Sequence, residues 1–258
     1  MRTCLVGSEM CIRDRANLIM KEKSVSEAIK FRRSVRIYNP KKSINSNLVK
    51  KCIEQALLSP SSSNLQLWEF YHIKSENFLK NVVRVCFNQP AAKTAQELVI
   101  PVVRLDLWPE RINSNVNFIK SSNKGKDKEK IKGAIDYYQK AIPKLYRGSK
   151  GLKSFFNHIK TYYRGLKKVT YREVRRNDIR IIGHKSTALA AQSFMISMAA
   201  LGYDTCPMEG FDSVRLKSLL KLPKSAEISM VIGCGVREED GLYGERFRLP
   251  LKEVYFSK

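Results

Sequence analysis

The stretch Ser59-Pro60-Ser61-Ser62-Ser63-Asn64-Leu65-Gln66-Leu67-Trp68-Glu69-Phe70 organises the reading of this 258-residue chain. Pro60 fixes the exit from a preceding helix, a run of hydroxyls and amides follows, and Trp68 opens a strand. A polar loop between two rigid elements is a good place to hold a polar, planar ligand. An ordinary Ser/Asn-rich turn has the same composition, so the neighbouring segments have to decide.

Before the loop, Ser24-Val25-Ser26-Glu27 is a capping-box pattern that opens a short helix through about Arg33. It delivers Arg32, Arg33, Ser34 and Arg36 close together, and a helix running that far puts Arg32 and Arg36 on one face. Tyr38-Asn39-Pro40 ends it. A second helix, from about Asn45 or Ser46 to Leu58, carries Leu48, Cys52, Ile53, Ala56 and Leu57 as a core-facing stripe and aims the loop after Pro60.

After the loop, Trp68 to Ile73 reads as a strand and Phe78 to Cys86 as a helix. Asn88-Gln89-Pro90 reads as a turn with an amide to offer. Leu98 to Leu105 reads as a second strand, and Pro101 within it points to an edge or an end. Asn113 to Gly125 is polar and read as mobile. Helical pieces follow at roughly Lys128 to Leu145, Leu152 to Tyr163 and Tyr171 to Ile181, punctuated by Gly148, Gly151 and Gly165. The helix from His184 to Leu201 is apolar nearly all round, Gly202 ends it, and His184 is read as structural. Thr205 to Phe211, a helix from Ser213 to Leu220 and a strand from Ile228 to Ile232 complete the order. Gly233-Cys234-Gly235 lacks the third glycine and the following helix of a dinucleotide fingerprint. In Gly244-Glu245-Arg246-Phe247-Arg248-Leu249-Pro250, extended backbone places Arg246 and Arg248 on one side, about 7 Å apart.

With 43% apolar residues the chain can bury one substantial core. Its formal charge of +24 invites anionic partners. Between Glu110 and Arg180 there are 20 Lys and Arg against 6 Asp and Glu, so the excess is concentrated there. Aromatic pairs Tyr137-Tyr138, Phe155-Phe156 and Tyr162-Tyr163 interleave these lysines. That pattern suits base stacking, and it suits amphipathic helices that cover a pocket and carry lysines outward. The second reading is preferred, because the basic residues follow no recognisable nucleic-acid-binding module. The six cysteines form no zinc-ligand spacing and are read as reduced thiols of a cytoplasmic protein, with no metal site. No apolar run reaches the roughly 18 residues that span a bilayer, so no membrane partner is expected. Within Met1 to Arg15 (MRTCLVGSEMCIRDR), the segment LVGSEMCIRDR resembles a translated sequencing adapter, so residues 1–19 are read as a non-native or disordered leader and Met20 as the expected start. Residues 20–258 are then one domain carrying a basic helical lid at about 110–180.

Two arginine groups, Arg32/Arg33/Arg36 and Arg246/Arg248, stand at opposite ends of the sequence. Guanidinium forks converging on a phosphate monoester neutralise its charge, whereas local pairing with Glu27 or Glu245 would leave no site. Arg32-Arg33-Ser34-Val35-Arg36, Ser59 to Trp68, Pro207-Met208-Glu209-Gly210-Phe211 and Gly244 to Pro250 together resemble, in order and spacing, the nitroreductase family of FMN-dependent oxidoreductases. The resemblance covers about Val25 to Val254. It implies an α+β fold, a mostly antiparallel central sheet flanked by helices, in an obligate-type homodimer whose C-terminal tail reaches the partner subunit. It also implies FMN as cofactor, NAD(P)H as co-substrate, and a small-molecule electron acceptor such as a nitroaromatic or a quinone. Flavin-fragmenting and reductively dehalogenating relatives share this fold. Carried onto this chain, the resemblance gives Arg32, Arg33, Ser34 and Arg36 to the phosphate and ribityl region, with Arg246 and Arg248 completing the phosphate site. Pro60, Ser61, Ser62, Asn64 and Gln66 would line the flavin from the partner subunit, Glu209 and Gly210 would present backbone near flavin N5, and Asn88 would reach the pyrimidine edge. No protein residue is required as nucleophile or base, since the flavin carries the chemistry. The family commonly has Gln-Pro-Trp where this chain has Gln66-Leu67-Trp68.

Overall fold

The computed structural model describes residues 22–124, 128–147, 152–173 and 175–258. The expected leader, together with Cys4, Cys11, Gly148 and Gly151, falls outside them. Five strands form an antiparallel sheet: β1 (Trp68–Ile73), β2 (Glu97–Val103), β3 (Asp204–Met208), β4 (Glu227–Ile228) and β5 (Val231–Gly235). The order across it is β1-β2-β5-β3, with β4 also paired to β2.

β2 is therefore interior, which corrects the edge expected from Pro101. Its side away from β1 pairs with β5 at Glu97 to Val99 and with β4 at Val102 and Val103. Pro101, which has no N–H to give, falls in the interval between those ladders, where its carbonyl accepts from Ser229 N at 2.9 Å. The same interval divides the single strand expected over Ile228 to Ile232 into β4 and β5.

Eleven helical segments surround the sheet among the described residues: α1 (Val25–Phe31), α2 (Ser46–Ala56), α3 (Glu76–Val85), α4 (Pro90–Lys93), α5 (Trp108–Ser122), α6 (Lys128–Asp136), α7 (Ile142–Tyr146), α8 (Leu152–Lys167), α9 (Arg176–Ala200), α10 (Ser213–Leu219) and α11 (Leu251–Val254). A π-helical turn, Tyr137–Ala141, joins α6 to α7. Every residue of β2 is buried, so both faces of the sheet are covered. Leu98, Ile100 and Val102 pack with Val82, Val85 and Leu216 on the α3/α10 side. Val99, Ile232 and Cys234 pack with Val49, Cys52, Phe194 and Met198 on the α2/α9 side. The strand period of two thus assigns alternate residues to two cores.

Five helices depart in extent from what the sequence predicts. The Ser24/Glu27 capping box forms, but α1 ends at Phe31, and Arg32 onward is non-helical, with Ser34 bridging Thr205 in parallel sense. The segments expected at Tyr171–Ile181 and His184–Leu201 are one helix, α9, beginning at Arg176. Gly183 does not break it; it provides clearance, because a Cβ there would lie 2.8 Å from the Leu105 and Val103 side chains. Asn113 to Ser122, expected to be mobile, is helical within α5, anchored by buried Ile112 and Val116. Gly165 is likewise inside α8, where Arg172 caps its carbonyl at 3.0 Å. Gly202 closes α9 at φ +78° as expected. α9 is not buried all round: Ile181 and Leu189 are each 51% exposed. Within α2, Val49 is buried with Cys52 and Ala56, whereas Leu57 lies outside the helix and is 44% exposed.

A third core, Leu65, Leu67, Ile112, Val116, Ile142, Tyr146 and Ile179, ties the Ser/Asn loop to α5, α7 and α9. Leu67, the departure from the family's usual proline, is 4% exposed in this cluster and acts as an apolar anchor. No described helix is long and apolar enough to cross a membrane.

Candidate active site

The end of α1 leads Arg32 to Arg36 along β3. Val35 turns inward and is fully buried, while Ser34 is exposed. Val35 N donates to Thr205 O at 3.2 Å, which fixes this segment on the strand. Arg32 and Arg36 therefore reach the site from extended backbone and not from a shared helix face. Arg246 closes the constellation by donating to the carbonyls of Arg32, at 2.6 Å, and Lys30, at 2.8 Å. Arg33 ties the C-terminal segment to this one by donating to Gly244 O at 2.7 Å. Arg248 Nη1 donates to its neighbour Phe247 O at 2.6 Å.

The electrostatics are one-sided. Burial, then the charges of Arg246, Arg248 and Arg33, lower the Arg32 pKa from its ordinary value. Among the described residues none of the five guanidiniums has a carboxylate partner, so the local ion pairs weighed as an alternative do not form. Glu27 instead completes the capping box with Ser24. The same charges reach Cys206 on β3: burial raises its thiol pKa, and Arg36 and Arg32 offset part of the rise. Guanidiniums left without carboxylate partners can receive an anion, and paired forks match the geometry of a phosphate. The Thr205 Oγ1, buried beside this segment, also has no partner among the described residues.

Glu209 and Gly210 stand exposed just past the other end of β3. From Thr205 to Glu209 is four residues of extended chain, about 13 Å. Gln89 Nε2 donates to Gly210 O at 2.5 Å and Cys86 O at 3.0 Å, holding this corner. Asn88, the residue expected to offer an amide, is exposed at φ +52° and makes no hydrogen bond through its side chain among the described residues. Gln89 is the structural partner that the sequence reading passed over.

The Ser/Asn loop has a different setting. Ser62–Asn64 form a 3-10 turn, and Ser63, Asn64 and Gln66 have φ of +52°, +50° and +47°. Pro60, Ser61 and Ser62 border a cleft with Tyr171, Ile182, Lys185, Ser186 and Leu189. Ser61 Oγ accepts from Gln66 N at 3.0 Å and Ser186 Oγ from Ser62 N at 3.3 Å. Asn64 bonds Asn115, and Gln66 bonds Asn64. No hydrogen bond joins this loop to the arginine cluster among the described residues. The structure thus brings Arg32, Arg33, Ser34, Arg36, Arg246 and Arg248 to one end of β3 and sets Glu209 and Gly210 just past its other end. Pro60 to Gln66 form a second, separate surface. Lys185 and Ser186 were missed because a lysine and a serine inside an apolar helix carry no motif of their own.

A model of the nitroreductase family matches residues 29–236. The chain belongs to the nitroreductase family. The Synechocystis protein DrgA is 26% identical over 214 residues, covering 83% of this chain and 84% of that protein. Among solved structures, a candidate NAD(P)H:FMN oxidoreductase from Staphylococcus epidermidis superposes with a TM-score of 0.72 at 19% identity, covering 93% of this chain and 98% of that one. A protein from Exiguobacterium sibiricum crystallised in complex with FMN gives 0.63 at 19% identity, with 93% and 99% covered. The nitroreductase fold, α+β with an antiparallel sheet between helices, is therefore the fold of this chain.

Proposed function

We propose that this nitroreductase-family chain is an FMN-dependent oxidoreductase that takes reducing equivalents from NAD(P)H and passes two electrons to a small acceptor such as a nitroaromatic or a quinone. The observation that carries this reading is the set of guanidiniums at Arg32, Arg33, Arg36, Arg246 and Arg248 without carboxylate partners among the described residues, laid against β3 with Glu209-Gly210 at its far end. That spacing and charge suit a phosphate at one end and a planar ring at the other. The S. epidermidis and E. sibiricum proteins, one described by NAD(P)H and FMN and the other crystallised with FMN, support it.

When bound, FMN supplies a ring that accepts hydride at N5 and gives up two electrons. The chain supplies the rest. Arg32, Arg36 and Arg248 offer their forks to the phosphate, Ser34 offers a hydroxyl to the ribityl chain, and Arg33 and Arg246 keep the surrounding backbone in place. Glu209 and Gly210 present main-chain groups to the ring, steadied by Gln89. Asn88 offers a free amide beside them.

Pro60, Ser61, Ser62, Asn64 and Gln66 belong to the second half of the site, contributed by another copy of the chain. The apolar tail supports such a homodimer: Phe247 is 77% and Phe256 73% exposed, and residues 245–258 make an extended arm with only the short α11 within it. An arm of that composition is stable in water when it lies on a partner. The basic insertion at about 110–180 is the cap of this site, and its charge favours entry of anionic NAD(P)H.

The test is turnover. Steady NAD(P)H oxidation that requires both FMN and a nitroaromatic or quinone supports the reading. Consumption of the flavin itself, or halide release with no steady turnover of these acceptors, would replace it with another flavin chemistry of the same fold.

A further inference from the structure

We propose that the basic insertion acts as a clamp on the flavin-lining loop, with Asn115 and Tyr138 as its positioning residues. The inference rests on the reading of that loop given above. The loop has a backbone that residues other than glycine and asparagine rarely adopt, since Ser63 and Gln66 as well as Asn64 lie at positive φ. Such a conformation persists only where its surroundings over-determine it.

At Ser63 and Asn64 those surroundings come from the insertion. Asn64 Nδ2 donates to Asn115 Oδ1 at 3.0 Å, and Asn115 Nδ2 returns a bond to Asn64 O at 3.1 Å. Asn115 is itself held by donating to Arg111 O at 2.8 Å. Tyr138 OH donates to Ser63 O at 3.0 Å and lies 3.3 Å from Asn115 Oδ1. Ser63 Oγ and Tyr137 OH share a hydrogen bond of 2.7 Å. Two consecutive tyrosines reach one loop because they open the π-helical turn, whose wider winding displaces the register of the helix. Their rings meet edge to face, with centroids 5.4 Å apart. Burial, and then Tyr137, raise the Tyr138 pKa. Beneath the polar contacts, Leu65 and Leu67 are sealed against Ile112, Val116, Ile142 and Tyr146.

The consequence is that cofactor affinity depends on residues that never touch the cofactor. A loop released from Asn115 and Tyr138 samples other backbone conformations, and the bound form becomes a smaller fraction of the free protein. The segment that caps the site and the loop that lines it then respond together.

The experiment uses the full-length protein with Tyr138→Phe, Asn115→Leu and the double variant. FMN affinity is measured by fluorescence quenching on apo-protein, and exchange of the residue 59–67 amides by hydrogen-deuterium exchange. Each single variant is expected to weaken FMN binding by about three- to tenfold, the loss of one or two hydrogen bonds. The double variant is expected to be weaker by less than the product of the two, because both residues brace the same loop. Loop amides exchange faster in each, while the melting temperature of the apo-protein changes little. Tyr138→Phe removes a single oxygen and carries the test where Asn115→Leu fails to fold. Wild-type FMN affinity in both single variants overturns the proposal. A wild-type protein that binds no FMN defeats the proposed function instead, and unaltered loop exchange in the variants then defeats the clamp separately.

Discussion

Arg248 and Arg246 look alike in the sequence and have different work in the structure. Arg246 commits its guanidinium to the carbonyls of Lys30 and Arg32, whereas among the described residues Arg248 hydrogen-bonds its own backbone neighbour, Phe247 O, and no carboxylate. Arg248→Ala is therefore expected to weaken FMN binding by about tenfold or more, the loss of a charge-assisted bond, with little change in melting temperature. Arg246→Ala is expected to lower both affinity and melting temperature. Unchanged flavin occupancy in Arg248→Ala would remove that residue from the site. The sequence showed five arginines in two groups but not this division, because backbone acceptors leave no trace in a motif. A second prediction concerns Glu97. Burial alone would raise its pKa, but hydrogen bonds from His72, at 2.6 Å, and from Ser46 outweigh it and hold the carboxyl below its ordinary 4.5. A folded pKa below the unfolded one contributes stability that is present above about pH 4.5 and is lost as pH falls through the depressed value. Glu97→Gln should flatten the acid side of a melting-temperature profile; an identical acid slope in the variant would contradict this assignment.

Helix termini and strands with strong local chemistry were legible: the capping box of α1, the start of α2 at about Ser46, β1, and the glycine that closes α9. Elements decided by tertiary contact were not. α9 reads in the sequence as two helices, Tyr171 to Ile181 and His184 to Leu201, because the basic first half and the apolar second half differ in composition, while Gly183 between them serves the close crossing over Leu105 and Val103. α5 read as mobile because two buried residues, Ile112 and Val116, among many polar ones give almost no periodic signal. Two glycines test this distinction. Gly183→Ala should destabilise by about 1–3 kcal/mol through overpacking. Gly133→Ala in α6 has no atom within 4 Å of the added Cβ and should be neutral or stabilise by up to about 1 kcal/mol. Thermal denaturation of both variants measures the contrast, and equal shifts would contradict the crossing as the reason for Gly183.

In the molecule as a whole, the family resemblance was legible because four short motifs fall in order, each weak alone. Their spatial division was not, since the arginine cluster and the Ser/Asn loop form two surfaces with no hydrogen bond between them among the described residues. The proposed homodimer would bring these surfaces together, so removing residues 249–258 is expected to lower dimer stability, read as a shift toward monomer in light scattering on dilution; an unchanged dimer would exclude the arm. The net charge of +24 sets a further expectation. Raising salt from about 0.02 to 0.3 M should raise the KM for NAD(P)H by about threefold or more, because screening removes electrostatic attraction at the basic cap. A KM independent of salt would argue against that role. The most direct measurement is the flavin content of the purified protein. The proposed site requires a yellow protein that releases FMN on denaturation, near one per chain, and rebinds it as apo-protein. A colourless protein that neither retains nor rebinds FMN would contradict it.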